Sequence, residues 1–178
     1  MMDLNSKINW FPGMEITAQT FIGMEEKLDL QQRIAIRAAL GSTRMGMLPG
    51  TTLSCNGTFV KNTFEIDHLQ CTALLPSGRI LDANEQAVIP IPMLFGDRYY
   101  LTIGLGDTQT EYEKEGIPYV RPHYEYALLT HEEVEAGDVM PMMRFSVKEG
   151  VFSIDTEYIP PCLLLTSDPR FADYVERL

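Results

Sequence analysis

The sequence is short of the features that most directly announce a chemistry. Among 178 residues there are three cysteines, three histidines and one tryptophan. Cys55, Cys71 and Cys162 are odd in number and widely spaced, and no Cys-x-x-Cys pair occurs. Neither a disulfide framework nor a zinc knuckle is indicated, and free thiols in a reducing, cytoplasmic compartment are expected. Residues 1–20 lack a basic stretch followed by an apolar one, so no secretory signal is expected. The longest apolar runs, such as Ala127-Leu128-Leu129 and Cys162-Leu163-Leu164-Leu165, fall far short of the roughly 20 residues that a membrane-spanning helix needs. Basic charge is scarce as well. Lys and Arg number 14 against 25 Asp and Glu, a formal net charge of -11. That balance argues against nucleic acid as the main partner and against an anionic membrane surface, since both call for a basic patch.

Catalytic and metal-binding patterns are equally thin. His68, His123 and His131 show no ligand spacing, so no metal is expected. The stretch Gly104-Leu105-Gly106-Asp107 lacks the third glycine and following helix of a dinucleotide loop and reads as a turn. Thr130 to Glu135, "THEEVE", reads as a solvated loop, and Tyr112 to Glu115 as another. No G-x-S-x-G elbow or cysteine nucleophile signature occurs, and abundant carboxylates on an acidic chain pair by chance. The expectation is a protein that is not an enzyme and holds no cofactor.

What the chain does have is apolar content, 45% of residues, enough for one domain with a real core. One helix is legible between Thr17, a good N-cap, and Gly41-Ser42, a good stop. Within it Phe21, Met24 and Leu28 fall at i, i+3 and i+7, and Leu30, Ile34 and Ala38 at i, i+4 and i+8. After residue 42, Gly and Pro recur every eight to twelve residues between stretches rich in Val, Ile, Thr, Phe and Tyr, the spacing of a β-sandwich or barrel. Expected strands are Thr58–Ile66 with a kink at Asn62, a hairpin Leu69–Leu75 and Arg79–Asp82 around Pro76-Ser77-Gly78, an edge strand or strap at Ala87–Met93, Tyr99–Leu105, Tyr119–Leu129, and a hairpin Met143–Val147 and Val151–Ile154 around Lys148-Glu149-Gly150. At the end, Asp168 and Pro169 read as the start of a helix with Phe171, Tyr174, Val175 and Leu178 on one face. The fold class is therefore mainly β, a sandwich with an N-terminal helix and the start of a C-terminal one.

Two stretches exceed what a sandwich needs. "INWFPGMEITAQTF", residues 8–21, concentrates aromatics, a Pro-Gly bend and a methionine near one end. "YIPPCLLLTSDPRF", residues 158–171, uses two prolines to open a strand and an Asp-Pro to turn it into a helix. Either stretch packs on the sandwich or offers aromatic and Met anchors to a partner.

In this order and separation, the two stretches resemble the N-terminal region of the TssK family, baseplate subunits of the bacterial type VI secretion system. Trp10, Gly13, Gln19 and Phe21 stand at the positions matching the family's opening pattern. "LLPSGRILDANEQAVIPIPM" is similar to its middle hairpin, and "DTEYIPPCLLLTSDPRF" to the segment that leads into its helical stem. Thr17-Ala18, where Pro-Gln is common, and Met24 to Lys27, where a Gln run is common, mark a divergent branch. The resemblance covers nearly the whole chain.

It implies a shoulder domain of the type found in phage receptor-binding proteins, without catalytic activity. Residues 1–42 would be an N-terminal strap and helix, 43–166 the β-sandwich shoulder and 167–178 the start of a helical stem, one structural domain overall. The full-length proteins are homotrimers with a C-terminal head that meets the inner-membrane complex. This chain would be the shoulder alone, bound to the wedge subunits TssF and TssG, with no nucleic acid and no direct membrane insertion. Trp10, Phe11, Pro12, Met14 and Phe21 are the expected partner-binding residues. Two rivals remain open at this stage. One is a carbohydrate- or ligand-binding sandwich of lectin type using the Tyr-rich "YVRPHYEYALL". The other is a hydrolase or isomerase built on His123 and nearby carboxylates.

Overall fold

A computed structural model describes residues 7–41, 45–91, 96–148 and 151–171. Helix α1 spans Ala18–Leu40, with Thr17 at its N-cap and Gly41 closing it at φ 83°, where the Gly41 N–H donates to the Arg37 carbonyl. These are the bounds that the capping residues announced.

Among the described residues, eight strands follow in two antiparallel sheets. The first holds β1 (Gly46–Met47), β2 (Ser54–Val60), β3 (Thr63–Leu74) and β4 (Ile80–Pro90). Here β3 is central. β4 runs along one edge, while β2 and β1 pair end to end along the other. The second sheet holds β5 (Arg98–Lys114), β6 (Ile117–Leu129), β7 (Val139–Lys148) and β8 (Val151–Ile154) in the order β6-β5-β7-β8. A short helix α2 (His131–Ala136) joins β6 to β7.

Alternation puts one face of each sheet into a shared core. Leu81, Ala83 and Ile89 of β4 point inward, while Asp82, Asn84 and Val88 point out. On β3 the inward positions are Phe64 and Ile66, then Leu69, Cys71 and Ala73. The phase changes by one residue at Asp67-His68, where a bulge interrupts pairing on both sides of the strand. Leu101, Ile103, Met140 and Phe145 answer from the second sheet. The two sheets are thus a sandwich, as the strand spacing indicated.

Several local expectations change. Thr58–Ile66 is not one kinked strand but the meeting of β2 and β3 at a tight turn, with Lys61 at φ 54° beside Asn62. The strands expected at Arg79–Asp82 and Ala87–Met93 fall in one continuous strand, Ile80–Pro90, on the sheet edge as prolines require. Pro92 and Met93 lie outside the described residues, as do Glu149 and Gly150 of the last hairpin turn. "GLGD" is not a turn but the approach to a bulge inside β5, between Leu105 and Gln109. Tyr112 to Lys114 are likewise strand, and the chain reverses only at Glu115-Gly116, both at positive φ. "THEEVE" is α2. The Thr130 N–H donates to Glu133 Oε2 at 2.8 Å in a reciprocal capping box, and Val134 is buried.

The double proline opens no strand. Residues 158–164 form an extended strap whose Cys162 makes a single parallel bridge to Met47. The Met47 N–H donates to the Pro161 carbonyl at 2.9 Å, and the Leu163 N–H donates to Met47 O at 3.1 Å. Two short 3₁₀ turns, Leu165–Ser167 and Pro169–Phe171, follow, and the rest of the helix expected from Asp168 lies outside the described residues. Of the expected helix face only Phe171 is among the described residues.

Gly46 makes this clasp possible. It sits at φ +139°, and a Cβ there would lie 2.5 Å from the Pro161 carbonyl oxygen. Gly46→Ala is expected to lower unfolding stability by about 2 kcal/mol or more, because strain and a backbone clash coincide. Gly23→Ala, inside α1 with nothing near the added Cβ, should instead raise stability by about 0.5–1 kcal/mol. Urea titrations of the two variants check both signs.

Candidate partner-docking surface

The strap before α1 is shaped by its own backbone. The Met14 N–H donates to the Phe11 carbonyl at 3.1 Å, with Pro12 and Gly13 between them and Gly13 at φ 83°. Proline at the first turn position and a left-handed glycine at the second are what a type II turn requires. The turn leaves Trp10 51% and Phe11 59% exposed, with Ile16 also exposed. Pro12 is exposed and Met14 is half-buried. Trp10 is therefore not part of the core.

α1 extends this surface. None of its residues is buried, and Phe21 (54%) and Leu28 (61%) are open to solvent. The helix approaches the turn between β3 and β4 through the Arg33 backbone and the Arg37 side chain, and Met24, Leu30 and Ile36 are half-buried. A Cβ added to Gly78, in the turn between β3 and β4, would lie 3.0 Å from the Arg33 carbonyl oxygen. That turn is itself clamped by Asp138, which accepts from the Ser77 N–H at 2.7 Å and from Arg79 at 3.0 Å. Arg79 also donates to the Leu105 carbonyl. Between helix and body lies a cleft of about 390 Å³, lined among others by Asp29, Arg33, Arg79 and Pro122. Arg33 pairs with Asp29 there, while its Nε is buried without an acceptor.

The second surplus stretch is held down far better. Arg144 donates through Nε to Asp155 Oδ2 at 2.7 Å and lies over the Tyr158 ring. Tyr158 packs edge-on against Tyr100. Arg170 binds both oxygens of the buried Asp168 and donates to the Tyr158 carbonyl at 2.7 Å. The arginines hold the Asp155 and Asp168 carboxyls below the usual carboxylate range.

The tyrosines of β6 are likewise committed within the protein. Tyr124 donates to the Asp82 carbonyl, Tyr126 donates to Glu85 Oε1 at 2.8 Å, and Arg121 reaches Glu85 Oε2 at 3.1 Å. Burial and the neighbouring Glu85 raise the Tyr126 phenol well above its ordinary range. Tyr119 stacks on Tyr112, and Arg121 lies over Tyr124. Tyr124 and Tyr126 are thus held by hydrogen bonds within the protein, while the stacked Tyr112 and Tyr119 stay 45% and 41% exposed. His123 is exposed and does not line the cleft. His131 does sit four residues before a carboxylate on a helix, contrary to the expected spacing, and its Nε2 is 3.3 Å from Glu135. Among the described residues no three His, Cys, Asp or Glu side chains converge as metal ligands, and no helix is long and apolar enough to cross a membrane.

No family model matches the chain, and no curated protein matches it by sequence. The fold, in contrast, has clear counterparts. The chain superimposes on a crystal structure of TssK with a TM-score of 0.65 and 15% identity, over 98% of its own length and 46% of that chain. The fold of this chain is similar to that of about half of a TssK chain. A chain of the type VI secretion TssK-TssF-TssG baseplate subcomplex matches with a TM-score of 0.63 and 14% identity, over 99% of this chain and 68% of that one. A chain of a type VI secretion baseplate complex matches at 0.61 and 12%, over 97% and 64%. The sequence thus spans about half of the crystallised TssK and about two thirds of the other two chains. The resemblance read from the two terminal motifs is met by the whole architecture.

The strap at 155–171 is expected to respond to acid. Its two carboxyls have depressed pKa values, so their contribution is present at neutral pH and is lost as pH falls through those values, below about 4. Melting temperature should drop between pH 5 and pH 3. The drop should be shallower in Arg144→Gln and Arg170→Gln, which have already lost the pairs.

Proposed function

We propose that this protein is a non-enzymatic structural adaptor of a type VI secretion baseplate, and that it binds wedge subunits of the TssF and TssG type through its N-terminal strap. Trp10, Phe11, Pro12, Met14 and Phe21 are the anchors. The observation that carries this reading is an apolar strap turned outward on a fold shared with a chain from a TssK-TssF-TssG subcomplex. Exposed aromatics in a cluster are the composition of an interface centre, and a buried Trp there supplies a hot spot. Residues 1–42 serve as docking strap and helix, 43–166 as the rigid shoulder, and 167–178 as the lead into a stem. Through that stem the full-length protein forms a homotrimer at the phage-tail-like baseplate, in the bacterial cytoplasm.

Trp10→Ala is expected to weaken capture of TssF and TssG from the same genome by at least about 30-fold, the equivalent of roughly 2 kcal/mol. Its melting temperature should move by less than about 2 °C, because the residue is outside the core. Undiminished capture by the variant sinks this reading. Loss of capture accompanied by a fall of many degrees would place Trp10 in the fold's stability instead.

A further inference from the structure

We infer that the outer part of the β5–β6 hairpin is a docking arm. Along the open edge of β5, at Gln109, Glu111 and Glu113, it takes up an extended strand of a partner protein that carries Lys or Arg at alternate positions. This arm is a different element from the N-terminal strap, and its role does not depend on the strap's.

β5 has 17 residues and β6 has 13, but β7, the other neighbour of β5, begins at Val139 opposite Gly104. Past the bulge that follows Leu105, β5 and β6 run on as a two-stranded ribbon, from Gln109 opposite Pro122 to Lys114 opposite Ile117. Six pairs at about 3.4 Å per residue make an arm of about 20 Å. Every residue from Glu111 to Val120 is exposed. A two-stranded ribbon wet on both faces is marginal by itself, and a third strand is the addition that supports it most directly.

The turn fixes which backbone groups are free. Glu115 and Gly116 have φ of 54° and 77°, the type I′ turn of a two-residue hairpin. Such a turn is closed by the hydrogen-bonded pair Lys114 and Ile117, and bonded pairs then alternate with unbonded ones along the ladder. Tyr112 with Tyr119 and Thr110 with Arg121 are bonded pairs. Glu113 with Pro118, Glu111 with Val120 and Gln109 with Pro122 are the unbonded ones, whose backbone groups point outward. The prolines agree with this count, since neither has an N–H to give to β5. Two of the three outward positions on β6 are therefore closed to a further strand, a device by which sheets blunt an edge. The matching positions on β5 all keep their N–H, and among the described residues β6 is the only strand paired with them. Other margins are occupied or short. Tyr124 takes up the Asp82 carbonyl on β4, and β8 has four residues.

Charge says which strand fits. Directly opposed residues share a face, so Glu111 and Glu113 lie on one face of the arm with Val120 and Pro118. That face has two carboxylates and no cation. Lys114 is on the other face with Tyr112 and Tyr119, as is Arg121, which is paired with Glu85. A strand added to β5 sets alternate residues beside Glu111 and Glu113, where Lys or Arg is favoured, and the residues between beside Tyr112, where an apolar or aromatic side chain packs. A second copy of this chain, joined edge to edge, would bring the same glutamates opposite one another, which is unfavourable.

The photo-crosslinking residue p-benzoylphenylalanine at position 109 of the full-length protein, in its own host, leaves both glutamates in place and reads the occupant. Position 151 is the background control, since Val151 is 68% exposed on β8 at the opposite edge of the second sheet. Position 109 is expected to cross-link above that background to one partner, within an extended segment bearing Lys or Arg at alternate positions. Glu111→Pro removes one outward N–H and should cut the yield at least about tenfold, whereas Glu111→Gln keeps the N–H and should cut it no more than about threefold. Val120→Pro places the same ring directly across the ribbon, on the edge already closed, and should leave the yield unchanged. All three variants should keep the parent melting temperature within about 2 °C, because the positions are exposed and outside the core.

A yield indifferent to Glu111→Pro would overturn the inference. So would an equal loss in Glu111→Gln, which would mean a side-chain contact, or in Val120→Pro, which would mean distortion of the arm. Cross-links to this chain itself, to a helical or acidic segment, or none above the position-151 background would each overturn it as well.

Discussion

The contact of Phe59 and Phe64 with Phe145 and Phe152 is what turns two sheets into one protein. Phe59 lies 4.9 Å from Phe64, 5.3 Å from Phe145 and 5.3 Å from Phe152 between ring centres. The four rings come from β2, β3, β7 and β8, two strands of each sheet. Such tilted and edge-on pairs add directional preference to the burial of large apolar area. They close one side of the sandwich. The other side, where β4 faces β6, is closed by polar groups instead, with Glu85 receiving Tyr126 and Arg121 while Tyr124 reaches the Asp82 carbonyl. One seam is held by dispersion and water exclusion, the other by directed hydrogen bonds. The two together leave little freedom for the sheets to slide.

Much of this was legible in residues. Thr17 and Gly41 delimit α1 because capping groups act locally, within a few residues of chain. Gly78 marks its turn for the same reason. The bulges were not legible, since nothing in Asp67-His68, Gly106-Asp107 or Met142 announces an extra residue until partner strands impose a register. α2 was missed although its signal was present. Thr130 with Glu133 is a capping box, but six residues of helix leave too little periodicity to outweigh the charges around it. The run Tyr112–Lys114 misled in the opposite way. Its side chains are exposed and polar enough to suggest a loop, yet cross-strand partners such as Tyr119 hold it extended.

The candidate surface was legible by composition and not by geometry. An apolar cluster near a terminus reads equally well as core or as interface, and only a folded body shows which side it takes. Here the decisive residues are outside the strap. Gly78 and the Arg33 backbone set how α1 lies on the sandwich, and that choice turns Phe21 and Leu28 outward. The second surplus stretch, equally sticky in sequence, is consumed internally by Arg144, Arg170 and Tyr100. Chemistry of similar appearance thus serves anchorage at 158–171 and exposure at 10–28.

The clasp between Gly46-Met47 and Pro161-Leu163 has a mechanical meaning. Whatever follows residue 171 is tethered to the sandwich through the strap, and the strap is tethered to β1 by two backbone hydrogen bonds. β1 in turn follows α1 closely along the chain. The strap is thus joined to β1 of one sheet by backbone bonds and to β5 and β7 of the other through Tyr158 and Arg144, so it spans the two sheets at one margin.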